Sequence, residues 1–76
     1  MAKKKSARPK KYNRIAEVLE NEGKTQAWLA GELELEYRTV NRYVNNHRQP
    51  AVEVLFEISK VLKVPVQELL EKDKPG

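Results

Sequence analysis

From Tyr12 onward, apolar residues recur along the chain at helical intervals, and no alternation of period two persists anywhere. Ile15, Val18 and Leu19 form one stripe and Gly23 stands where a left-handed residue closes a helix, so the spacing predicts a first helix over Asn13 to Glu22. Thr25 offers an N-cap hydroxyl to a second helix over Gln26 to Leu33, with Leu29, Ala30 and Leu33 facing inward. About three residues later a third helix is expected over Tyr37 to Asn45. Its inner positions are Val40, Tyr43 and Val44, and its outer positions are Arg38, Asn41, Arg42 and Asn45. The stretch from Asn45 to Pro50 has no apolar residue and ends in proline, which marks a loop. A fourth helix follows over Val52 to Leu62, with Val52, Leu55, Ile58, Ser59 and Leu62 on the buried stripe and Phe56 at its margin. Pro65 suits the first turn of a short fifth helix over Val66 to Glu71 that turns Leu69 and Leu70 inward. The expected fold is all-α.

Charge changes this picture by dividing the chain. The 76 residues carry a formal charge of +4, but Met1 to Arg14 holds seven cations and no acid, whereas Ile15 to Gly76 holds eight cations and eleven acids. The first part is therefore +7 and the remainder −3. Residues 1–11 are polar, basic and broken by Pro9, which reads as a disordered arm; residues 12–71 form the domain and residues 72–76 a flexible tail. A domain of about 60 residues buries only about 60% of its extended-chain surface, leaving little room for an enclosed active site. There is no cysteine and His47 is the only histidine, so disulfides, thiolate chemistry and the usual zinc clusters are excluded. No acid/base constellation accompanies His47, and the chain is not expected to be an enzyme or to need a cofactor. Apolar runs reach only three or four residues, far short of the ~20 that cross a bilayer, and the basic start lacks the apolar stretch of a secretory signal.

Two short helices joined by a tight turn, the second apolar within and rich in Arg, Asn and Thr without, make the arrangement that a helix-turn-helix reader of DNA needs. A guanidinium can pair with guanine O6 and N7, and a side-chain amide with adenine N6 and N7, in a major groove that admits one helix. Arg38, Thr39, Asn41 and Arg42 lie within about one helical turn and can address the same groove floor.

The ordered set Thr25-Gln26-x-x-Leu29-Ala30, Leu33, Thr39-Val40-x-Arg42-Tyr43, Pro50, Leu55, Leu62-x-Val64 and Leu69 resembles the phage repressor and Cro-type helix-turn-helix family, XRE-like and lambda-repressor-like, over about residues 13–71. That resemblance implies a compact five-helix domain and double-stranded DNA as partner. It implies a phosphate clamp at Gln26, base or phosphate contacts from Tyr37, Arg38, Thr39 and Arg42, and backbone contacts from the loop that includes Asn45, Asn46 and Arg48. It further implies a near-palindromic operator bound by a homodimer, a role in transcription as a repressor, and a cytoplasmic, nucleoid-associated setting in a bacterium or phage. The surface around Val64, Val66, Leu69 and Leu70 is the candidate dimer contact, although these residues are first of all core material.

Departures from the family pattern fall around the turn. Glu34 occupies the position where glycine commonly supplies a left-handed conformation, Glu36 stands where a hydroxyl caps the third helix, and Ala51 replaces the cap of the fourth. Each candidate also has a plainer reading. Arg38, Asn41 and Arg42 can be a solvated helix face, Gln26 an ordinary first-turn residue, and Trp28 a half-buried flank residue; Tyr43 belongs to the core and His47 to the loop surface. A protein-interaction module on the same scaffold, such as an antitoxin, is compatible with the three glutamates near the turn and the −3 charge.

The six cations of residues 1–11, on a tether, can release counterions from DNA without choosing a sequence. Deleting residues 1–11 is therefore expected to flatten the dependence of log affinity on log salt while leaving base preference intact, as checked by titration at several salt concentrations; an unchanged slope would make the arm a bystander.

Overall fold

The computed structural model describes residues 11–72. Apart from Lys11 and Lys72, the expected arm and tail lie outside the described residues. Helices α1 (Ile15–Glu22), α2 (Gln26–Leu33), α3 (Tyr37–Val44) and α4 (Val52–Leu62) are followed by a 3-10 turn (Val66–Leu69). The all-α expectation holds with four α-helices and not five.

Each helix closes in the same way, with a left-handed residue just past its end. Gly23 (φ 69), Glu34 (φ 57), Asn46 (φ 60) and Lys63 (φ 59) let the next residue's N–H reach back over the last turn. Lys24 N–H thus donates to Leu19 O, Leu35 N–H to Ala30 O, His47 N–H to Arg42 O and Val64 N–H to Ser59 O, at 2.9 to 3.1 Å. Only Gly23 adopts this conformation without a Cβ penalty. The other three hold it against a cost of about 1 kcal/mol each. At its start, α2 is capped by Thr25, whose Oγ1 accepts from Trp28 N–H at 3.0 Å, whereas the residues before α3 and α4, Glu36 and Ala51, make no side-chain cap.

The core joins all the elements: Ile15, Val18 and Leu19 from α1; Leu29 and Ala30 from α2; Val40, Tyr43 and Val44 from α3; Ile58 and Leu62 from α4; and Leu69. Trp28 is half-buried against this cluster, with the Lys24 ammonium 4.8 Å from its ring centre.

Three expectations need correction. The segment from Val66 to Glu71 does not continue as an α-helix, because its backbone turns to an extended partner. Arg14 N–H donates to Leu69 O and Glu71 N–H to Tyr12 O, both at 2.8 Å, around an antiparallel bridge between Asn13 and Leu70. Leu70 is consequently exposed, while Leu69 is fully buried and unavailable to a partner. The same bridge delays α1, which starts at Ile15 because Asn13 is drawn into the pairing. Val52, expected on the buried stripe, is 66% exposed, and Phe56 at the margin is 52% exposed. In that first turn it is Val54 and Leu55 that pack against the core, so helical phase alone misplaced Val52.

Ala51 supplies neither a hydroxyl nor a carboxylate to the start of α4. Ala51→Ser is expected to raise unfolding stability by about 1 kcal/mol in urea titration, and an unchanged midpoint would show that solvent already satisfies those amides.

Candidate nucleic-acid interface

The α2–α3 unit presents α3 by its outer face. Val40, Tyr43 and Val44 fix the helix to the core, so Arg38 and Arg42 form one exposed row and Tyr37, Asn41 and Asn45 the next, each spaced by four residues. Arg38, Arg42, Asn45 and Arg48 are exposed, Tyr37 is 54% exposed, and Thr39 is half-buried on the flank. The two guanidinium groups have no acidic partner among the described residues, so their donors are free for a ligand.

Gln26 opens α2 beside this face. Its Oε1 accepts from Asn41 Nδ2 at 2.8 Å, which joins the expected phosphate clamp to an expected base-reading residue. The first N–H groups of α2 have no acceptor within the helix, and that of Trp28 is met by Thr25 Oγ1. A shallow cleft beside them is lined by Ala16, Lys24, Thr25, Gln26 and Val44.

The loop after α3 is anchored from below. Asn46 was expected to contact a DNA backbone, but its side chain is buried and committed to the protein. Its Oδ1 accepts from the N–H of Tyr12 (2.8 Å) and of Asn13 (3.0 Å) and from Gln49 Nε2 (3.1 Å), and its Nδ2 donates to Asn13 O at 3.2 Å. Asn46 thus shapes the loop while Asn45 and Arg48 remain on its surface. Asn13, 1% exposed, completes the cluster: its Nδ2 donates to Tyr43 O and Gln49 Oε1, and its Oδ1 accepts from Ile15 N–H. Sequence reasoning passed over Asn13 and Gln49. The available signal was an asparagine two residues before an apolar helix start, the position from which a side-chain oxygen reaches the first amides.

Lys11 lies at the root of the basic segment and pairs with Glu17 and, at 3.1 Å, with Glu71. The hydrogen bond to Glu17 raises the lysine pKa above its ordinary value, and the same bond lowers the Glu17 carboxyl below the usual carboxylate range.

A helix-turn-helix family model matches residues 15–69, a span that contains α1 through Leu69. The chain belongs to this family. Its DNA-binding helix-turn-helix domain is of the XRE, lambda-repressor-like kind and is non-enzymatic. Among solved structures, that of a candidate DNA-binding protein from Bacteroides fragilis is similar to this domain, with a TM-score of 0.76 and 30% identity over 78% of this chain and 95% of that chain. No curated protein matches the sequence. Among the described residues, no helix of the domain is long and apolar enough to cross a membrane.

Replacing Asn46 by alanine removes four buried hydrogen bonds and places a Cβ residue without a compensating amide in the left-handed region. Asn46→Ala is expected to lower unfolding stability by about 3 kcal/mol in urea, and Asn46→Gly by about 1 kcal/mol less. Wild-type stability in both variants would return Asn46 to the DNA-facing surface.

Proposed function

We propose that this helix-turn-helix domain is a sequence-specific regulator of transcription, a repressor that occupies a near-palindromic operator as a homodimer in the cytoplasm. The observation that carries the proposal is the unpaired Arg38/Arg42 row on a helix whose opposite side is wholly built into the core. Guanidinium groups four residues apart on a rigid helix suit guanine edges or phosphates, and Gln26, Tyr37, Thr39, Asn45 and Arg48 flank them as sugar-phosphate contacts. The net charge of the domain is mildly acidic, so its contribution to affinity comes from local placement.

A second reading, partner binding on the same scaffold, is favoured by one observation. Val52 and Phe56 stand exposed four residues apart on α4, an apolar pair that a protein surface could cover. Only the first reading predicts sequence preference.

Selection of duplexes from a random pool tests the proposal, with recovery of a two-fold symmetric site as the expected outcome. If no selected duplex binds better than bulk DNA at moderate salt, the regulator reading fails. On the selected site, Arg42→Ala is expected to cost about 1 to 3 kcal/mol and relax one base position; an equal loss on all sequences would assign Arg42 to a phosphate.

A further inference from the structure

Among the described residues, five large apolar side chains stand exposed: Tyr12, Tyr37, Val52, Phe56 and Leu70. Only Val52 and Phe56 are neighbours on one helix, four residues apart on the outer face of α4. Leu69, expected from the sequence at a dimer contact, is fully buried and offers no surface. The charges beside the apolar pair are ordered along the helix. Glu53 and Glu57 come first, Lys60 lies in the last turn and Lys63 at the cap, and all four are exposed. None of them has an ion partner among the described residues. Acids first and lysines last suit the helix dipole. The dipole does not require them to share a flank, yet Glu53 and Lys60 do: they stand seven residues apart, two turns of helix, which leaves them within about 20° of one line.

That line is complementary to itself when reversed. Across a two-fold axis perpendicular to α4 the same flank of each helix meets, so Glu53 faces Lys60 of a second copy and Lys60 faces its Glu53. The point midway between Glu53 and Lys60 falls between Phe56 and Glu57, so the same axis brings the two Phe56 rings together with a Val52 at either end of the contact. A parallel arrangement instead sets like charges at the same height. We propose that the outer face of α4 is where two copies of this chain meet, antiparallel about an axis beside Phe56, with Glu53 and Lys60 paired across it. On DNA this face belongs to the homodimer of the proposed function and rests on that reading; the association of free copies does not. Its strength follows from its size. A stable complex covers about 800 Å² on each partner, which two apolar side chains and two ion pairs do not reach. Free copies therefore associate weakly, with a dissociation constant on the order of 1 mM. A two-fold site on DNA completes the contact by holding two domains at high local concentration.

The first experiment is sedimentation equilibrium of the full chain without DNA at millimolar concentration, where a monomer–dimer equilibrium is expected. Phe56→Ser, Glu53→Lys and Lys60→Glu are each expected to weaken it about tenfold. All three change exposed side chains, so the thermal midpoint of each should stay near that of the wild type. An equal mixture of Glu53→Lys and Lys60→Glu is expected to recover the wild-type dissociation constant, because both crossings then join opposite charges. A wild type that stays monomeric overturns the proposal and gives the apolar pair to a different protein. Self-association that survives Phe56→Ser, or charge reversals that the mixture does not rescue, overturns it by placing the contact elsewhere or in another register. The second experiment titrates a selected two-fold duplex and its single half-site. Phe56→Ser is expected to remove cooperativity between half-sites and to leave half-site affinity unchanged; a loss on the half-site would put Phe56 against DNA and overturn the proposal. If no duplex is preferred, the regulator reading fails, and sedimentation of the free chain still decides whether α4 joins two copies.

Discussion

The loop that leaves α3 depends on one buried amide. Asn46 sits in a left-handed conformation that closes α3, and its side chain gathers the N–H groups of Tyr12 and Asn13 and the amide of Gln49. Those partners are more than thirty residues away in sequence except for Gln49. In a core this small, a buried polar group is tolerable when it is hydrogen-bonded, and here three of the four bonds come from the segment that precedes α1. The end of α3, the start of α1 and the bridge to Leu70 therefore form a single assembly. Removing one member orphans donors in two others.

A second constraint acts at the turn between α2 and α3. Glu34 takes the left-handed conformation that glycine would adopt without penalty, and Leu35 N–H closes onto Ala30 O as a glycine turn would. The angle between the helices is thus held by backbone hydrogen bonds and by Leu29, Ala30 and Val40 beneath, against a modest local strain. The carboxylate of Glu34 stays exposed. The departure from glycine alters charge at the turn more than its shape, which is why the family geometry survives it.

Much of the fold was legible because helix phase and stop signals are local. Ile15, Val18 and Leu19 with Gly23, or Thr25 with Leu29 and Ala30, carry their structure within one or two turns of chain. What escaped depended on distant pieces. Nothing near Val66 to Glu71 announces that Tyr12 to Arg14 will pair with it, and nothing near Val52 shows that Val54 and Leu55 will face the core in its place. In the candidate interface, Arg38 and Arg42 are found by type and spacing and Asn45 and Arg48 through the family resemblance, and all four lie exposed. Asn46 has the same local signature and the opposite fate, because its partners cannot be seen from the loop itself. Gln26 and Asn41 were each singled out, but their contact joins two helices and no periodicity predicts it.

The route by which the chain enters the domain has a mechanical consequence. Tyr12 donates its N–H to Asn46, so the point where the basic segment joins the fold is pinned against the loop that follows α3. A tether exerts its effect through the local concentration it imposes, and that concentration is highest close to the attachment point. Lys11, the residue before Tyr12, is held at the same junction by Glu17 and Glu71. A change inside the Asn13–Asn46–Gln49 cluster would therefore move this junction as well as the loop, because both hang on the same amide.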